Sequence, residues 1–431
     1  MPNTAAPRFH IRYKRPGEIE AQDLPAGARI LTFRFEDVED KADKLTLTVD
    51  NHDISAFDGD VWNEDNVLEF QFGYPGAMSP PREAVIQRTT GWNPMTVEAD
   101  AKDAAVMNRL QRTDRIWDDV KRSDVVAEIC RSYGYTDAQL HIDDTKLVVA
   151  HITQARMTDL QLIRSLAARE GFEFYIDWDG VHFHKRNTKQ KPIKTITYFA
   201  DPNLGDVVSV SLEKDKRAGK PGAVTLQGKD AKTGEPFEVR ADNQSTQGER
   251  TGLAENLLVH GTEASEIELV DTKTGSTSIA SKQAVAASAQ ELVAPTTETS
   301  AAAAQRVANG AYQKQQLRGI TLTLGLRGDA LLFAKSVVEL RAFGTKLSGN
   351  WYAKNVTHLL GDNYYSMTAK VSRDGLNGQG VPTAASKNAQ EGPNPPGPGN
   401  EGSAAQQLGP IDHVDAFGNV TTTYQAGGGS S

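Results

Sequence analysis

The sequence predicts an α+β fold that is mainly β, and three observations carry that prediction. Short alternating apolar runs, broken by Asn, Asp, Gly and Pro, fill residues 8–75 and return after residue 199, as antiparallel barrels or sandwiches require. Between them, residues 158–184 (TDLQLIRSLAAREGFEFYIDWDGVHFH) switch from a helical period to a period of two. From Leu376 onward the composition collapses, and EGPNPPGPGNEGS reads as an extended, disordered linker. A chain of 431 residues is too long for one ordinary domain. The boundaries expected are 1–100 for a first β domain, 101–198 for an inserted α+β domain, 199–375 for a second β domain with long polar loops, and 376–431 for a flexible tail. The first strands of the 199–375 segment are candidates to complete the first β domain.

In the first domain Ile30, Thr32, Phe33 and Phe35 form one run. Leu45, Leu47 and Val49 alternate, as do Leu68, Phe70 and Phe72 before the turn Gly73-Tyr74-Pro75-Gly76. Val85, Ile86 and Thr96 to Ala99 predict further strands, whereas Ala104 to Trp117 is equally readable as helix or strand.

The inserted domain is the most legible stretch. Ser123 is expected to cap a helix that buries Val125, Val126, Ile129, Cys130 and Tyr133 and ends at Gly134. Thr158 and Gln161 form a T-x-x-Q capping box, Leu160, Ile163, Leu166 and Ala167 line one face, and Gly171 supplies the left-handed stop. Phe172, Phe174 and Ile176, then Val181 and Phe183, predict a hairpin turning at Asp179-Gly180.

In the second β domain Val207, Val208 and Val210, then Val224 to Leu226, predict strands, with a short basic run from Lys214 to Lys220 between them. Residues 229–300 are polar and are expected to form long loops or an edge hairpin. Thr299 to Leu317 predicts a helix with Val307, Ala311 and Tyr312 on a weak apolar side. Ile320 to Leu324, Val337 to Leu340, Trp351 to Val356 and Tyr364 to Val371 complete the strands. The tail holds one island, IDHVDAFGNVTTTY, whose Ile411, Val414, Phe417, Val420 and Tyr424 are too few for a core. That island reads either as disordered chain or as a docking segment that adds a strand or hook to a partner.

Composition excludes several classes. The formal charge of −9 gives no global footprint for nucleic acid or an anionic membrane. The single cysteine, Cys130, excludes an internal disulfide framework and a cysteine-rich zinc site, and its place on an apolar helix face predicts a buried, inert thiol. No apolar run approaches the roughly 18 residues of a spanning helix, and no apolar signal segment opens the chain. Mean hydropathy is −0.48, so a soluble protein made in a cytosol is expected.

Catalytic signatures are weak. There is no G-x-S-x-G elbow and no P-loop. Gly375, Gly378 and Gly380 read as turn residues, and Asp50 to Asp60 as a solvated loop that lacks calcium-loop spacing. His182 and His184 share a strand face, but no third ligand is near in sequence, so no metal and no cofactor are expected. Asp143-Asp144 and Glu170 with Glu173 are the carboxylates a glycosidase would need, at a density ordinary for an acidic chain. Arg327-Gly328-Asp329 reads as a turn.

Several stretches together resemble the phage late control gene D family, the tail baseplate hub proteins of phages and contractile injection systems. They are SDVVAEICRSYG (Ser123 to Gly134), QARMTDLQLIRSLAAREGFEFYIDWDGVHFHK (Gln154 to Lys185) and WYAKNVTHLLGDNYYSMTAKVSR (Trp351 to Arg373). The last matches the family's closing strand pair, and the opening F-x-F-E-D…L-x-L-x-V-x-N also fits; the likeness spans roughly residues 30–373. It implies two related antiparallel β-barrel domains joined by small α+β elements. It also implies a late structural protein of the virion tail baseplate: a homotrimeric ring that adapts a sixfold tail tube to a threefold spike, with a lumen for tape measure and cargo. The partners implied are the spike, tail tube, tape-measure and baseplate wedge proteins, with no membrane insertion and no specific nucleic-acid binding. Some relatives carry a fused spike or lysozyme domain, and this chain has neither the length nor the repeats for one, which makes Ile411 to Tyr424 the candidate contact to a separate spike. The rival class is a tail-associated peptidoglycan hydrolase, which would need a pocket with paired carboxylates.

Overall fold

The computed structural model describes residues 6–39, 41–108, 114–177, 179–199, 205–214, 223–230, 233–242, 253, 256–260, 267–271, 277–279, 292–298, 300–318, 320–376, 411–414 and 420–423. One hydrogen-bonded sheet runs through the molecule. Its antiparallel order is Val207–Lys214, Ile320–Arg327, Tyr364–Arg373, Gly349–Gly361, Ile30–Val38, Lys44–Val49, Met95–Ala101, Arg82–Gly91, Val67–Tyr74, Arg8–Lys14 and Gln22–Asp23. The period of two in the sequence sends alternate residues to one side, and the sheet curls around two separate cores. Phe33, Phe35, Leu45, Leu47, Leu68, Phe70 and Phe72 fill the first. Leu322, Leu324, Val338, Leu340, Trp351 and Val371 fill the second. The fold is therefore mainly β, with two barrel-like domains.

The 13-residue strand Gly349–Gly361 belongs to both. Its first part pairs with Ser336–Arg341, from Leu340 opposite Gly349 to Ser336 opposite Ala353. Its second part pairs with Ile30–Val38, from Asn355 opposite Val38 to Leu360 opposite Phe33. A register shift between Ala353 and Asn355, in the pairing with Tyr364–Arg373, marks the change of direction. Trp351 thus lies in the second core and Leu360 in the first. Lys194–Thr197 extends the second barrel by pairing in parallel with Ser336–Arg341.

The inserted residues fold around a third core that includes Val125, Ile129, Cys130, Ile163, Leu166 and Phe183. Helix Asp159–Glu170 begins at the predicted box: Thr158 Oγ1 accepts from the Gln161 N–H at 3.2 Å, and Gln161 Oε1 accepts from the Thr158 N–H at 3.0 Å. It ends at Gly171, φ +68°. Strands Phe172–Asp177 and Gly180–Lys185 form the expected hairpin, with the turn one residue earlier than Asp179-Gly180 because Asp177 pairs with Gly180, and Leu140–Ile142 joins its edge in parallel. Two expectations fail. Tyr133, expected on the buried face, follows the helix at its C-terminal end and is exposed. Ser123 does not cap helix Arg122–Ser132; Lys121 occupies that position, and Ser123 lies inside the first turn. Its hydroxyl is buried beside Thr145 instead, accepting from the Thr145 N–H at 3.4 Å.

Residues 223–316 hold a fourth small core that their polar composition hides. Ala223–Lys229, Pro236–Asp242 and Leu292–Pro295 form a three-stranded sheet, and helix Ala301–Gln316 packs on it. The helix buries Ala303, Ala304, Ala308 and Tyr312. Small residues permit this close packing but give only a weak apolar signal in sequence. The basic run at 215–220 lies outside the described residues.

Candidate functional site

No catalytic constellation forms among the sequence candidates that the structure describes; their side chains are committed to architecture. Glu170 accepts from Arg122 Nη1 at 2.7 Å and from Arg306 Nη1 at 3.1 Å, and Arg122 also pairs with Glu298. Arg122 is fully buried, so this cluster clamps the helices of the inserted domain to helix Ala301–Gln316. Glu173 lies 2.9 Å from Arg186 Nε and accepts from the Tyr352 hydroxyl. Each carboxylate thus has a cation within reach. Asp143 accepts from the Lys185 N–H at 3.1 Å, and Asp144 from the Lys146 N–H at 2.9 Å. In the Asp50–Asp60 loop, Asn51 is buried, donating to the Trp92 carbonyl at 2.9 Å and accepting from the Phe57 N–H at 3.2 Å.

Other candidates are structural in the same sense. Asp329 accepts from Lys194 Nζ at 2.6 Å, and Gly328 faces the Tyr365 ring so closely that any side chain would collide with it. Burial pushes the Cys130 thiol up to about 12, which keeps it protonated and unreactive. His182 is sandwiched between Tyr175 and His141, while His184 meets His182 edge-on.

The residues that sequence reasoning missed lie at the seam between the barrels. Asp37 and Asp43 come from the first barrel and its hairpin loop, Arg82 from the first barrel and Lys335 from the loop entering Ser336–Arg341. Lys335 Nζ donates to Asp37 Oδ1 at 2.6 Å and to Asp43 Oδ1 at 3.2 Å, and Arg82 Nη1 reaches Asp43 at 3.4 Å. The side chains of Asp37, Asp43 and Lys335 are more than nine-tenths buried, and that of Arg82 is 11% exposed. Burial and the Asp37 charge push the Asp43 carboxyl up to about 6, whereas Lys335 and Arg82 outweigh burial at Asp37 and hold it below the usual range. Next to this cluster His358 is buried between Phe35, Phe72 and Tyr365, hydrogen-bonded to the Tyr365 hydroxyl at 2.8 Å. Burial drives His358 down to about 4, so the ring is neutral.

Two features face outward. Strand Val207–Lys214 pairs on one side with Ile320–Arg327, and among the described residues nothing pairs its other edge. Its Val208, Val210 and Leu212 are exposed, a stripe at the strand period. In the tail, Ile411–Val414 pairs antiparallel with Val420–Thr423, setting Val414 opposite Val420. Both strands lie within the candidate docking segment; Phe417 and Tyr424 lie outside the described residues.

Two barrels fused through one strand, with an inserted α+β domain packed around its own core, define the architecture of this chain. The family model described as phage tail baseplate hub (GPD) matches residues 87–364, and the chain belongs to that family. It is thereby a structural component of the virion tail baseplate. Among solved structures it is similar to a tail protein from Neisseria meningitidis MC58, at 10% identity and TM-score 0.56, covering 85% of this chain and 96% of that one. It is also similar to the 43 kDa tail protein of prophage MuSo2 from Shewanella oneidensis, at 11% identity and TM-score 0.55, covering 86% of this chain and 100% of that one. No curated protein matches the sequence.

Proposed function

We propose that three copies of this chain form a ring that adapts a sixfold tail tube to a threefold spike, with a lumen for tape measure and cargo and no catalytic role of its own. The observation that carries this reading is the shared strand Gly349–Gly361, which fixes two separately cored barrels in one sheet. A trimer of such chains presents six barrels, nearly sixfold on one face, while the singly represented inserted domain keeps threefold order elsewhere. The exposed stripe of Val208, Val210 and Leu212, on an edge that nothing pairs among the described residues, is suited to contact between subunits or with the tube. The paired tail strands at Ile411–Val414 and Val420–Thr423 are the candidate contact to the spike. The chain's net charge of −9 favours passage of phosphates without sticking. Baseplate wedge proteins are the remaining partners of this reading.

Electron microscopy of the protein mixed with its tube subunit tests it. The expected images show a ring with three inserted-domain lobes and tube density in sixfold register on the opposite face. Rings of another order, or tube that binds one barrel of each subunit only, contradict it.

A further inference from the structure

The geometry points to a divalent transition-metal site at the tip of the inserted hairpin, formed by His141, His182 and Asp179. His141 stands on Leu140–Ile142 and His182 on Gly180–Lys185, directly opposite one another in the parallel register. Asp179 occupies the turn of the hairpin. One ligand atom from each of the three residues lies within 4.8 Å of the others.

Several features organise the set. The two imidazoles are stacked, with centroids 4.6 Å apart and planes 22° from parallel. Tyr175 stacks on the other side of His182 at 4.5 Å, fixing that ring's plane. Asp177 Oδ1 lies 3.0 Å from His182 Nε2, the carboxylate–histidine arrangement that holds a ligating ring in one tautomer and orientation. His141 Nε2 is shut off from solvent and makes no hydrogen bond of good geometry, although Asp179 Oδ2 is 3.1 Å away. A shielded imidazole nitrogen beside a carboxylate that it does not properly bond is the arrangement a bridging cation completes.

Ligands of a tetrahedral zinc ion sit roughly 3.3 Å apart, given bonds of about 2.0 Å. The three ligand atoms already lie within 4.8 Å of one another, with Asp179 Oδ2 3.1 Å from His141 Nε2; Asp179 is 65% exposed at the turn, while His182 is 13% exposed. Two imidazoles and one carboxylate select zinc-like ions over magnesium or calcium, which prefer all-oxygen sets. Metal there would tie the hairpin turn to Leu140–Ile142 and stiffen the outer end of the inserted domain.

Isothermal titration of Zn2+ into the full-length, untagged protein at neutral pH tests the assignment. The expected result is one saturable site per chain, weakened about tenfold or more in both His141→Gln and Asp179→Asn and unchanged in His184→Ala. His184 is a fair control because it lies on the same strand but hydrogen-bonds the Lys185 carbonyl instead. Should His141→Gln misfold by circular dichroism, the turn variant Asp179→Asn decides alone. No stoichiometric binding, equal affinity in Asp179→Asn, or an equal loss in His184→Ala overturns the site.

Discussion

Lys335 Nζ sits 2.6 Å from Asp37 Oδ1, a buried ion pair that binds the loop entering one barrel to the strand that opens the other. Lys335 adopts φ +63°, an uncommon conformation for a lysine, and its N–H donates to the Ala353 carbonyl at 2.8 Å on the shared strand. The pair therefore pins the barrels where Gly349–Gly361 crosses between them. Replacing Lys335 with Met leaves two buried carboxylates without their ammonium and is expected to cost about 3–5 kcal/mol at pH 7.5. Urea unfolding at pH 7.5 and pH 5 checks this, and the deficit should shrink at the lower pH as those carboxylates take up protons.

Asp43 responds to pH in the opposite sense from an ordinary ion-paired carboxylate. Its folded value of about 6 lies above its ordinary value of 3.8. The folded state therefore holds that proton more tightly, and the stabilisation is lost as pH rises through about 6. Asp37, held low, contributes throughout that range and loses its contribution only under stronger acid. Asp43→Asn is expected to be more stable than the parent at pH 7.5 by about 1–2 kcal/mol, with the difference vanishing near pH 4. Thermal unfolding across pH 4–8 measures it.

Gly171 and Gly310 meet backbone to backbone. A Cβ added at Gly310 would lie 2.6 Å from Gly171 Cα, so helix Ala301–Gln316 docks on the end of Asp159–Glu170 only without side chains there. An alanine ordinarily favours a helix by about 1 kcal/mol over glycine. Here Gly310→Ala should instead destabilise by about 1–3 kcal/mol, because the contact cannot open without repacking. Differential scanning calorimetry gives the sign directly.

Deleting residues 377–431 separates assembly from docking. The main sheet and its cores lie within residues 8–373. The truncated protein is expected to keep its unfolding temperature and oligomeric state while losing affinity for the spike in a pull-down.

The inserted domain was legible because its signals are local: the Thr158–Gln161 box, the Gly171 stop and the alternation from Phe172 to Phe183 each lie within a few residues. Ser123 misled because a serine before an apolar run is as suited to a buried hydrogen bond with Thr145 as to a cap. The seam was hidden, since Asp37 and Lys335 are 298 positions apart and nothing in either neighbourhood predicts their pairing. For the same reason the sequence placed only His184 beside His182 and offered no third ligand, whereas His141 lies opposite His182 on the neighbouring strand. The closing motif of the family resemblance now has a physical reason. Arg373 is buried under Trp351 and donates to the Leu253 and Ser348 carbonyls, and His358 fills the first core.

The most direct measurement is the solution mass of the purified full-length protein by multi-angle light scattering across a concentration series. A homotrimeric ring predicts a species at three times the 46.8 kDa chain mass, retained when residues 377–431 are removed. A strict monomer at every concentration, in the presence of the spike and tube proteins as well as alone, would contradict it.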